Sequence, residues 1–111
     1  MKTLIDANVI LRYLLDDVAD QALKAELVIQ GGAYTLPEVI CEVVYVLDGV
    51  YNMPRDAIRD SIFFVLHNVA IERLEEVVRA LNLYAATRLD FVDCILAAHN
   101  QVDRSPVYSF A

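Results

Sequence analysis

Met1-Lys2-Thr3-Leu4-Ile5-Asp6-Ala7-Asn8-Val9-Ile10-Leu11 is the stretch that decides how the rest of the chain is read. A short apolar run of strand-forming residues stops on an acid, and an amphipathic helix pattern (Val9, Ile10, Leu11, Tyr13, Leu14) follows directly. Asp6 therefore falls at the carboxyl end of a strand and the amino end of a helix. In open α/β sheets that edge is where ligands bind, because strand ends and helix amino termini leave unpaired backbone groups facing a shared crevice.

The same alternation continues outward from this start. The first helix covers about 8–15, and Asp16-Asp17-Val18-Ala19-Asp20 reads as a turn and cap feeding a second helix over about 18–30, ended by Gly31-Gly32. A short strand, Ala33 to Leu36, precedes an apolar helix that Pro37 opens and Asn52-Met53-Pro54 breaks after Tyr51. A helix over 55–67, a brief strand Val69-Ala70-Ile71, a helix from Glu72 to about Thr87 and another from Asp90 to about Gln101 follow. Val107-Tyr108-Ser109-Phe110 is strand-like. Strands alternating with helices predict an α/β protein with a parallel sheet covered on both faces. No linker or repeat divides residues 1–111, so a single domain is expected.

The chain has 111 residues, 58% of them hydrophobic, with a mean hydropathy of +0.43. No run of about 18 apolar residues exists to explain that excess by a membrane span, so it predicts a partner subunit. No basic start leads into an apolar segment and a cleavage site, and a cytoplasmic protein is expected. Cys41 and Cys94 stand alone and read as buried thiols. Sixteen acids against nine Lys and Arg give a net charge of −7, the wrong sign for holding nucleic acid by phosphate neutralisation alone. A nucleic-acid ligand would need a metal or a local cationic patch.

The acids divide by position. Helical spacing puts Glu38, Glu42, Tyr45 and Gly49 on one stripe of the Pro37 helix and Val39, Val43, Val46 and Leu47 on another. Glu38 complements the helix dipole, whereas Glu42 lies beyond the first turn and is either solvated or functional. Asp90 and Asp93 fit a capping pair at the start of the last helix, and Asp93 can also project into a crevice. Asp16, Asp17 and Asp20 read as turn and cap residues. His67 and His99 lack a second ligand at helical spacing, which argues against zinc. Arg12 and Arg88 could contact phosphate, although solvated salt bridges explain them equally well.

Asp6, Glu42 and Asp93 come from three separate segments. Two carboxylates about 4 Å apart repel by about 4 kcal/mol at an effective dielectric near 20, so such a set stays ionised only around a cation. Oxygen ligands without sulfur or imidazole favour Mg²⁺ or Mn²⁺, ions suited to phosphodiester hydrolysis. A phosphoacceptor receiver domain also uses an acid pocket, but it wants an acidic pair beside the first strand and a lysine after the last.

Three stretches together resemble PIN-domain proteins: Leu4 to Leu14, Pro37 to Leu47, and Leu89-Asp90-Phe91-Val92-Asp93-Cys94-Ile95-Leu96-Ala97-Ala98. The likeness is greatest to the VapC-type ribonuclease toxins of bacterial toxin–antitoxin pairs. It implies a three-layer α/β/α fold around a parallel sheet of about four strands, with a last edge strand missing. It also implies a Mg²⁺- or Mn²⁺-dependent endoribonuclease acting on RNA, homodimerisation and inhibition by a small antitoxin. Residue by residue, Asp6, Glu42 and Asp93 match the family's metal-site acids, Asn8 a polar residue supporting the first, and Asp90 a position often acidic. Ser109 matches the hydroxyl of a Thr/Ser-Phe-Asp ending in which Ala111 replaces a fourth acid, so the resemblance is C-terminally short. A catalytically impaired binding module that dimerises or binds an antitoxin is the alternative.

Overall fold

Three short strands, β1 (Thr3–Leu4), β2 (Ala33–Thr35) and β3 (Val69–Ile71), form a parallel sheet in the order β1-β2-β3 in the computed structural model, which describes residues 1–15, 17–104 and 106. Thr3 pairs with Ala33, and Ala33 in turn with Val69. The described sheet has three strands rather than the four expected. The fourth, Val107 to Phe110, lies outside the described residues, as do Asp16, Ser109 and Ala111.

Six helices connect and cover these strands: α1 (Ala7–Leu15), α2 (Ala19–Gln30), α3 (Pro37–Gly49), α4 (Arg55–Leu66), α5 (Leu74–Ala86) and α6 (Phe91–Asp103). Each sits within a few residues of its expected place, and local chemistry explains the ends. Pro37 fits the first turn of α3, where its missing N–H costs nothing. Gly32, at φ +101°, makes the turn from α2 into β2 that a side chain would resist. Arg73 and Arg104 adopt the left-handed conformation at the start of α5 and the end of α6.

Alternation decides the faces of the sheet. Ile5, Ala33, Thr35 and Val69 are buried, and against them lies the core that Ile40, Val43 and Leu47 of α3 share with Ile58 and Ile62 of α4. Each such side chain gains about 1.5–3 kcal/mol by leaving water. The opposite face holds Leu4 and Ala70, both exposed, and half-buried Tyr34, so cover among the described residues is less complete there than expected. The most extensive helix packing joins α5 to α6, where Tyr84 meets Phe91 edge-on at 5.7 Å.

Candidate active site at the carboxyl edge of the sheet

Asp6 stands where the sequence placed it, between β1 and α1. The backbone N–H of Ile5 donates to the Tyr34 carbonyl (2.9 Å), and the buried Thr35 hydroxyl donates to the Ile5 carbonyl (3.1 Å). Both bonds tie the residue before Asp6 to β2. Asp6 Oδ1 accepts the Val9 N–H at 3.1 Å, the geometry of a helix cap. Oδ2 has no partner among the described residues. The carboxylate borders an opening of about 320 Å³ whose wall includes Leu36 and Val39 from the start of α3.

The α3 helix separates the flanks of this edge. Ile40, Val43, Val44 and Leu47 face the core. Val39 lines the opening beside Asp6, while Cys41, Tyr45 and Asp48 line a narrower one that Asp90 and Val92 of α6 close from the other side. Glu42 lies on the outward stripe between these flanks, exposed, with no hydrogen bond or ion pair among the described residues. The sequence placed it on that stripe.

The amino end of α6 carries Asp90 and Asp93. Asp90 occupies the cap position, yet its side chain makes no capping hydrogen bond, contrary to the capping pair expected. Asp93 is exposed in the first turn. A residue that the sequence reading missed holds this end in place. The Arg55 guanidinium donates to the carbonyls of Tyr84 (3.1 Å), Thr87 (3.2 Å), Arg88 (3.3 Å) and Leu89 (2.6 Å), and lies 4.1 Å from the centre of the Tyr84 ring. One planar cation thereby satisfies carbonyls at the end of α5 and along the connection to α6. A signal existed: a cation in the first turn of a helix opposes the dipole and invites a tertiary explanation.

A second missed group lies where α5 begins. Glu76 is buried, and its Oε1 meets His99 Nδ1 of α6 at 2.8 Å. His99 Nε2 lies 3.4 Å from Asp103, and Arg73 stands 3.8 Å from Glu76 and 3.6 Å from Glu38 of α3. These pairs join α3, α5 and α6. They also engage both ring nitrogens of His99. Burial, then the charges of Glu38 and Asp90, push the Cys41 thiol up. Burial also raises Cys94, with the Thr87 hydroxyl and Arg55 partly opposing it. Both stay protonated thiols near neutrality, although Cys41 is only half-buried, against the expectation of two buried thiols.

Asp6, Glu42 and Asp93 are each exposed and each on its own segment. Among the described residues no three His, Cys, Asp or Glu side chains lie close enough together to hold a metal ion. As placed, the three acids belong to no such group. Carboxylates repel one another, so a cation between them is what would favour their convergence. Asn8 borders the α1–α2 groove next to Asp6, also exposed.

A short parallel sheet flanked by six helices, with Asp6 at the carboxyl end of its first strand, defines an α/β protein. The family model for the PIN domain matches residues 3–109, and the chain belongs to that family. PIN domains are typically metal-dependent nucleases. No curated protein and no solved structure matches the chain. No helix among the described residues is long and apolar enough to cross a membrane.

Proposed function

We propose that this PIN-domain protein is an endoribonuclease of the toxin–antitoxin type, of the VapC kind, hydrolysing RNA phosphodiester bonds with Mg²⁺ or Mn²⁺. Asp6, Glu42 and Asp93 are the proposed ligands, with Asn8 and Asp90 in support. The observation that carries this reading is the fixing of Asp6. Two hydrogen bonds hold its neighbour to β2, and a third leaves Oδ2 free at the sheet edge. A divalent ion bound there would supply an activated water and charge neutralisation at the phosphoryl group. It would also offset part of the net charge of −7.

Asp6→Asn separates chemistry from folding. Asparagine caps a helix as well as aspartate does, so the melting temperature should barely change. Mn²⁺-stimulated cleavage of single-stranded RNA should fall to the level seen with chelator. Unchanged cleavage sinks the assignment.

A second reading has its own support in the separation of the three acids. In it the protein folds, dimerises and binds a small antitoxin without cutting RNA. A folded chain that cleaves nothing at any Mg²⁺ or Mn²⁺ concentration favours this alternative.

A further inference from the structure

The cations are not spread evenly over this acidic chain. Arg55 is committed to carbonyls, and Arg59, Arg73 and Arg79 are paired with acids. Lys24 of α2 has no acidic partner among the described residues. It lines a groove of about 380 Å³ between α1 and α2 together with Asn8, Arg12, Gln21 and an apolar floor that includes Val9 and Val28. Arg12 holds only an exposed pair with Asp17 at 2.9 Å, of the kind worth about 0–1 kcal/mol and easily exchanged for another anion.

The position of this groove gives it meaning. Val9 lines both the groove and the opening beside Asp6, and its N–H is the one that Asp6 caps. Arg12 lies six residues beyond Asp6, about 9 Å along the helix axis. Two cations, two side-chain amides and an apolar floor suit a nucleotide: phosphate for the cations, base or ribose edges for the amides, and a base face for the valines.

We propose that the α1–α2 groove binds the nucleotide adjoining the cleaved bond of a single-stranded RNA, with Lys24 and Arg12 on phosphate and Asn8 and Gln21 reading the base. This rests on the endoribonuclease reading above.

Fluorescence anisotropy with labelled hexauridylate and hexaadenylate, in Ca²⁺ over a range of salt, tests the groove without relying on turnover. Lys24→Ala should weaken both oligonucleotides about fivefold and reduce the salt slope by about 0.7, the share of one phosphate contact on a single strand. Gln21→Ala should narrow the difference between the two sequences and leave the slope unchanged. Arg104→Ala, at the far end of α6, should do neither. If the unaltered chain binds both oligonucleotides and the groove variants behave like Arg104→Ala, the groove is not the RNA site. If the unaltered chain binds neither, the endoribonuclease reading fails with it.

Discussion

Arg55 shows how much one side chain can organise at a distance. Its four carbonyl partners lie 29 to 34 residues away, and the guanidinium covers the Tyr84 ring as it reaches them. Arg55→Ala should destabilise the fold by about 2–3 kcal/mol, the scale of hydrogen bonds to a charged group, read as a lower urea midpoint. Arg55→Lys should recover only part of that loss, because a compact ammonium cannot span the four carbonyls. Full recovery by lysine would mean that charge alone matters there. The cysteines make a different prediction. Their folded thiols titrate above the ordinary value of 9.0, so the unfolded chain loses those protons first. Stability from this source is complete below pH 9 and drains away as pH rises through the folded values. The melting temperature should therefore fall above pH 9, and less steeply in a Cys41→Ala, Cys94→Ala double variant. Identical slopes would assign the alkaline loss to other groups.

Among the elements, α3 was the most legible and most useful. Its apolar positions at helical spacing fix which side meets the core, and Pro37 fixes where it starts. The strand Val69–Ile71 was equally plain, a brief apolar run between polar residues. Asp6 could be placed from sequence because both its neighbouring elements are written in adjacent residues. The clamp on it could not, since Thr35 is 30 residues from Ile5 and nothing local marks its hydroxyl as a strut. Glu76 and His99 were obscure for the same reason: 23 residues separate them, and each looks solitary on its own helix. The capping pair at α6 was a local inference that the structure does not show: Asp90 makes no capping hydrogen bond, while Arg55 fixes the preceding connection through its carbonyls.

At the scale of the whole molecule, charge and apolar surface pull in opposite directions. A net charge of −7 keeps copies apart, yet Leu23, Leu27, Tyr45 and Phe64 are each more than half exposed. A standard interface buries about 1,600 Å² in total, and side chains of this size are what such interfaces cover. Sedimentation velocity should find a dimer at micromolar concentration, favoured by added salt as the repulsion is screened. A monomer at every concentration and salt would leave the exposed apolar surface to another partner. The strand register, finally, bears on how the molecule is made. Thr3 pairs with Ala33 and Ala33 with Val69, so each strand pairing closes a loop of some thirty residues or more, whereas α5 and α6 are joined by a short connection. Loop-closure entropy favours the helical hairpin early and the sheet late. The strand that presents Asp6 is thus expected to dock near the end of folding, so the acidic edge would exist only in chains that have all but completed it.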